Sequence, residues 1–469
     1  MRKDDLVFAG CLLFLLGVAS GSLFSNPIIV LFIIFLSAII LVLIYRKNNI
    51  LPIIFLLPLF LLGFLRFTYN YNDFLNTGAQ LDGKHVTLKG VVRDMQSFDS
   101  FSVITIKNST GYFSFLDNQF NSMNYGDEVG VSGILQKPPQ DKLNYYYSNR
   151  LLGDLKSPKN ITITPSTNFN LYYWLQNFKL KEKTKLVEIF GQRKGHLLSG
   201  LVFGESDEFS QDEKTFYKRV GVYHLVALSG EQISLVALSI FFIIGVFMRR
   251  KKAAIFAGGL LLVYLLSTSL AASAIRAYLM FLIYLGSLFF ERLNSARNMI
   301  FLSAALLVLF NPSFLLFNLG FELSYIALIA LIYLFPYLKT NFFPNANKFI
   351  DLFMITFSVE LALAPLLFLY FGYVNFLGIL TNPLILWSSP ILFLLSLSSL
   401  FSFYLTPFLL PIFYFLTNLI CDYFFLVLDL IDGVFSQFNL NLGLLEIIYL
   451  LLGLGVIITY QKIYAARTL

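Results

Sequence analysis

The sequence predicts an α-helical polytopic membrane protein, with about 12 spans plus a re-entrant segment and an inserted small extracytoplasmic β-barrel (OB-like) domain. Three observations carry that expectation. Of 469 residues, 57% are hydrophobic and only 13% charged, where soluble domains carry about a quarter charged residues. Apolar runs of membrane-crossing length recur towards both ends of the chain. Between them, about 70–220, the pattern changes to short β-branched runs punctuated by turn residues.

Three apolar segments come first, at about 6–24, 28–45 and 50–68, and form an N-terminal membrane unit, 1–69. Arg2 and Lys3 precede the first, and Arg46-Lys47 separate the second from the third, so both sites should be cytoplasmic. Three crossings then place 70–220 outside. The next apolar segment, 222–247, ends in Arg249, Arg250, Lys251 and Lys252, which should again be inside. Lys462 and Arg467 put the C-terminus inside as well. Four apolar stretches remain after 371, which is one crossing too many for that outcome. The stretch 374–388 is short and holds Asn382-Pro383, so it is expected to be re-entrant or a broken half-helix.

The segments LKGVVRD (88–94), FSVITIK (101–107), GYFSFLD (111–117), DEVGVSGILQK (127–137) and ITIT (161–164) predict five strands of a closed barrel, domain 70–168. The link 138–160 is expected to be a variable loop carrying Tyr145, Tyr146 and Tyr147, which could stack on bases. Lysines and arginines balance aspartates and glutamates across this domain, which makes it a poor electrostatic trap for phosphate. YYWLQNFKLKEKTKLVEIF (172–190) predicts an amphipathic helix within a linker, 169–220. Trp174, Phe178, Leu186 and Phe190 would form its apolar side, with Lys179 and Lys183 among cations able to guide an anionic polymer.

Composition excludes several chemistries. Cys11 and Cys421 both lie in apolar runs, so a disulfide framework is not expected. His85, His196 and His224 fit no zinc or metallo-hydrolase spacing, and no phosphate-binding glycine loop occurs. No cofactor and no metal are expected.

The membrane block 221–469 carries polar groups where leucine would be cheaper. They are His224, Ser229, Gly230, Glu231 and Gln232, then Ser273 and Arg276, then Glu322 and Ser324, then Glu360, and finally Asn382. Ionisable groups at membrane depth usually face one another or a wet path. One arginine cannot neutralise three glutamates at short range, so an aqueous cavity is expected. Ser229-Gly230 can break the helix and aim backbone N–H groups at an anion.

At this point the residues resemble the ComEC family of bacterial competence proteins. LVFGESDEFSQDEKTFYKRV (201–220) with GVYHLVALSGEQISLV (221–236) resembles its acidic element and H-L-x-A-x-S-G run. SAIRAYLM (273–280), NPSFLLFNLGFELSYIAL (311–328) and SVELALAPLLFLYFGYVNFLGILTNPL (358–384) resemble three further family stretches in the same order. Glu231 and Gln232 stand where the family usually has leucine and histidine, and Glu360 where it usually has glutamine. The resemblance implies a non-enzymatic channel in the bacterial cytoplasmic membrane that imports single-stranded DNA during natural transformation. It implies an external DNA receptor, a cytosolic helicase, and membrane lipid around the channel. Many family members carry a metallo-β-lactamase-like nuclease domain. None is expected in this sequence, so a separate nuclease is implied. The competing reading of the three glutamates is a proton- or cation-coupled transporter of a small or lipid-linked solute. The sequence does not express an oligomeric state.

Overall fold

The computed structural model describes residues 3–23, 57–97, 101–118, 123–166, 169–204, 209–226, 230–268, 270–290, 295–345, 347–372 and 377–437. It divides into two compact units, Met1–Lys181 with Val236–Glu322, and Glu182–Leu235 with Leu323–Leu469.

The first unit opens with α1 (Lys3–Leu23) and α2 (Leu57–Leu81). They meet backbone to backbone. A side chain at Gly17 would collide with the Phe60 carbonyl, and one at Gly63 with the Phe14 carbonyl. Small residues that let helices approach this closely supply packing where no hydrophobic drive exists between helices in lipid.

α2 leads into five strands: β1 (His85–Ser97), β2 (Ser102–Lys107), β3 (Tyr112–Asp117), β4 (Glu128–Gln136) and β5 (Leu151–Thr164). They close into a barrel in the order β1-β2-β3-β5-β4, with β3 and β5 parallel and β1 paired back to β4. Alternation fills it: Val92, Ile104, Ile106, Phe113, Phe115, Val129 and Val131 point into one core. The expected loop 138–160 is instead mostly structured. A short helix α3 (Leu143–Ser148) fills its first half, and β5 already begins at Leu151. Ser157 and Asn160 adopt positive φ, and the β4–β5 register shifts twice here. Those irregularities let a strand continue through Ser157-Pro158, where a regular ladder would end.

Helix α4 (Leu171–Phe190) does not present one apolar side. Leu186 and Phe190 are buried, whereas Trp174 and Phe178 are exposed and stacked on each other. Gln176 donates to the Leu266 and Thr268 carbonyls, closing the open end of a later helix.

The chain continues through α5 (Gln192–Phe203), α6 (Gln211–Arg219), α7 (Tyr223–Val226) and α8 (Gly230–Phe247). Next come α9 (Arg250–Ser267), α10 (Ala272–Phe290), α11 (Ala296–Phe310), α12 (Phe314–Phe317) and α13 (Leu319–Ile329). Arg66 and Arg150 donate to the Leu309 and Phe310 carbonyls at the end of α11, which ties α2 and the barrel to that helix.

A π-turn (Ala330–Leu334) joins α13 to α14 (Phe335–Phe342). The wider turn precedes Pro336, whose ring would otherwise strike the preceding turn. Then follow α15 (Lys348–Phe371), α16 (Leu377–Ile385), α17 (Ser388–Leu405) and α18 (Leu410–Gln437).

Five helical segments among the described residues are long and apolar enough to cross a membrane: Asp5–Ser22, Leu319–Phe342, Ile350–Phe371, Ser388–Leu405 and Pro407–Val434. The expected number of about twelve is not confirmed by these five. Gln232–Phe247, Ala272–Ser287 and Ala296–Phe310 are apolar but shorter. The expected spans 28–45 and 443–460 lie outside the described residues. At nine residues, α16 is ~14 Å long by helix geometry and does not reach across hydrocarbon.

Candidate functional site

Two chain segments of the second unit meet at a pair of glycines. The first segment is the end of α6. Ser210 and Glu213 form a capping box that fixes where α6 starts. Gly221, at φ +80°, ends it, with the Gly221 N–H donating to the Lys218 carbonyl and Val222 N–H to Tyr217. Only glycine adopts this left-handed corner without cost.

The second segment is α16. Gly378, Thr381, Asn382 and Ile385 are buried on one face of it, at helical spacing. The Thr381 hydroxyl is shared between the Leu377 carbonyl of its own helix, at 2.6 Å, and the Val220 carbonyl, at 2.9 Å, and the second contact joins α16 to the end of α6. A side chain on Gly221 would stand 2.7 Å from the Gly378 α-carbon, so the two backbones touch.

Polar groups gather at this pinch. A Cβ on Gly378 would stand 3.0 Å from Glu360 Oε1, 3.3 Å from the Gly221 oxygen and 3.5 Å from Asn382 Nδ2. Glu360 comes from the middle of α15, whose Leu361 and Ala364 pack against Ile379. Pro365 has no N–H for the Leu361 carbonyl, so the α15 ladder is interrupted one residue after Glu360. Asn382 is 4% exposed, and its Oδ1 has no hydrogen-bond partner among the described residues. The His224 ring is hydrogen-bonded to the Gly221 backbone. Gln232 is buried and its amide donates to the Leu225 carbonyl at 3.4 Å.

The other anticipated site residues are placed as follows. Ser229 lies outside the described residues. Gly230 opens α8 and Glu231 follows it, so the helix does restart after the Ser229-Gly230 step. Ser273 and Arg276 share one face of α10, and Arg276 is buried. Glu322 sits in the first turn of α13, a favourable place for negative charge, and Ser324 follows on the same helix. Glu360, Asn382 and His224 therefore share one neighbourhood, while Ser273, Arg276 and Glu322 belong to the other unit.

The anticipated DNA contacts need correction. Tyr146 and Tyr147 are buried. Tyr147 wedges among Phe67, Tyr71, Phe74 and Phe317 and donates to Asn70 Oδ1, and Tyr146 donates to Asp154. Lys179 and Lys183 are buried too, at 1% and 2% exposure. Side chains used up by packing do not stack on bases or meet phosphates. Tyr145, at 55% exposure, is the one of the five that presents itself to a ligand.

Sequence reasoning missed Gly221, Gly378 and Thr381. The signal was present in Gly378-x-x-Thr381-Asn382, where three small or polar residues fall on one helical face. It also missed a row of acids on α18. Asp422 pairs with Lys194, Asp429 with Arg193 and Asp432 with Arg219, each at 2.7 Å or less, which binds α5 and α6 to α18. The acids stand seven and three residues apart, a helical repeat concealed in an apolar run.

A family model described as "Competence protein" matches residues 201–462, more than half of the chain. The chain belongs to the competence protein family. The family match takes in the whole pinch, from Gly221 through Glu360 to Asn382, and also Ser273, Arg276, Glu322 and Ser324. ComE operon protein 3 of Bacillus subtilis (strain 168) is 29% identical over 267 residues, covering 50% of this chain and 33% of that protein. This competence-family chain thus aligns with about a third of the length of that curated relative.

Proposed function

We propose that the chain is a membrane channel through which single-stranded DNA enters the cell during natural transformation. The observation that carries this reading is the coincidence of the pinch with the competence-family match. Polar groups and touching glycines stand where membrane-length apolar helices surround them. A gate needs this combination: backbones that close tightly, and few side chains to clear when they part.

In this reading His224, Ser229, Gly230, Glu231, Gln232, Ser273, Arg276, Glu322, Ser324, Glu360 and Asn382 line or shape the path. The barrel is an OB-type fold on the outer side, with Tyr145 as its accessible ring. Both termini are cytoplasmic, and α16 is a re-entrant half-helix. An external receptor delivers DNA, a cytosolic helicase draws one strand inward, and a separate nuclease removes the other.

The test is uptake of labelled DNA into a nuclease-protected state. Cells with the gene intact, deleted, or carrying Arg276→Ala are compared at matched protein level. Loss of uptake in both mutants supports the reading. Uptake unchanged by deletion, in cells shown to be competent, removes it.

A further inference from the structure

Helix α18 carries charge at membrane depth. Its apolar stretch, Pro407–Val434, has 28 residues. A crossing needs about twenty, so every placement of a crossing within that stretch contains Asn418 and Asp422. Lys194 Nζ lies 2.6 Å from Asp422 Oδ1 and donates to Asn418 Oδ1 at 2.7 Å. Further along, Arg193 holds Asp429 with two hydrogen bonds, and Arg219 holds Asp432 in the same way. At about 3.6 residues per turn, these four α18 residues fall on one face. The pairs are not enclosed among the described residues. The Asp422 side chain is 66% exposed and that of Asp429 50%. Ions at that depth are strongly disfavoured against lipid and tolerated against water. Arg193 and Lys194 do not withdraw with a loose segment, because α5 is firmly seated. Its Leu197, Leu198, Leu201 and Val202 are fully buried, and it packs against α17. Arg219 stands two residues before Gly221, so the row runs up to the glycine pinch.

We propose that the α18 face bearing Asn418, Asp422, Asp429 and Asp432 is the wall of a water-filled passage, along which Arg193, Lys194 and Arg219 form a row of cations for a phosphodiester backbone. Water solvates the exposed carboxylates that lipid would not. A phosphate presents an arginine with the same fork of acceptors as a carboxylate, so it can take over both hydrogen bonds. The displaced acid stays hydrated. The acids hold the cations in place while the passage is empty, and their competition keeps a polyanion from binding too tightly to move on. The role given to the cations rests on the DNA reading; the aqueous wall does not.

The experiment uses the full chain, with Cys11→Ala and Cys421→Ala, reconstituted in liposomes. Single changes Asn418→Cys, Asp422→Cys and Asp429→Cys report on the wall. Leu419→Cys and Leu430→Cys, at exposed positions on the neighbouring face, bracket the same depth. Each protein is treated with the small cationic thiol reagent MTSET, which attacks hydrated thiolate. Asn418→Cys leaves every ion pair in place, so it reads the wall without removing a charge. The expected result is reaction many times faster at 418, 422 and 429 than at 419 and 430, in protein that remains monodisperse. Slow reaction at all five positions would overturn the passage, because lipid or protein then covers the face. Equally fast reaction at all five would overturn it too, because this part of α18 then lies outside the membrane. In cells at matched protein level, Arg193→Gln with Arg219→Gln should cut DNA uptake severalfold, and Arg193→Lys with Arg219→Lys should keep most of it. Full uptake with both glutamines would overturn the role of the cations. Uptake that survives deletion of the gene would end the DNA reading and that role with it, while labelling decides the aqueous wall independently.

Discussion

Gly221 and Gly378 touch through bare backbone, and that contact sets what each may become. Gly221→Ala must hold a Cβ at φ +80°, at a cost of about 1–2 kcal/mol for a left-handed L-residue. It must also displace Gly378, whose α-carbon lies 2.7 Å from the new methyl. We expect a lower melting temperature in detergent and loss of DNA uptake. An unchanged melting temperature would show that the two segments do not meet. Thr381→Val keeps the shape and removes the hydroxyl shared between the Leu377 and Val220 carbonyls, so the expected loss is about 1 kcal/mol with the protein still accumulating. Part of this site was legible in the sequence. Glu360, Asn382 and His224 stood out as polar residues in apolar runs, and the structure brings those three to one corner. The glycines did not stand out, because glycine is recruited by absence of volume, and only the approach of a second segment reveals the need. Tyr146 and Tyr147 misled for the reverse reason. A tyrosine run signals stacking surface or core equally, and the neighbours Phe67, Phe74 and Phe317 that decide it are remote in sequence.

At the scale of elements, the barrel strands β1 to β4 follow directly from their period-two alternation, and their bounds fall within a few residues of those read from sequence. β5 was half concealed, since Lys156–Asn160 reads as a turn and is absorbed as strand irregularities against β4. Helix α18 poses the opposite problem. Its overall hydropathy announces a span, while its acids are matched by cations from α5 and α6, some 200 residues earlier in sequence. Each pair is partly exposed, so any one is expected to contribute at most about 1 kcal/mol. Removing Arg193 and Arg219 together frees two carboxylates on one helix. The double change Arg193→Ala with Arg219→Ala should therefore lower stability by more than either alone, and charge reversal of Asp429 and Asp432 to lysine should not rescue it. Melting of the four proteins in low and high salt checks this, with the differences shrinking as salt rises. Equal melting in every variant would mean that α5 and α6 are held by packing alone.

For the whole molecule, composition establishes membrane residence, and positive charge proposes its orientation. The number of crossings did not follow as easily. α2, α8, α10 and α11 are apolar in stretches, yet none meets both length and hydropathy requirements among the described residues. Sequence windows count apolar residues, whereas helix ends fixed by Gln176, Arg66 and Arg150 decide where each rod stops. The proposed orientation predicts that Tyr145→Cys reacts with a membrane-impermeant maleimide in intact cells, while Lys251→Cys reacts only after permeabilisation. The reverse pattern would invert the topology and place the barrel in the cytoplasm. The central claim, that DNA passes through the second unit at the Gly221–Gly378 pinch, is tested most directly by catching it there. A photoreactive amino acid is placed at Leu377, beside the pinch, and at Leu369, which is 80% exposed on α15, as a control. Cells then take up a single strand stalled by a bulky protein at its trailing end, and are irradiated. The account predicts a DNA adduct at position 377 that depends on the stall, and none at 369. Adducts at neither position, or equally at both, would contradict it.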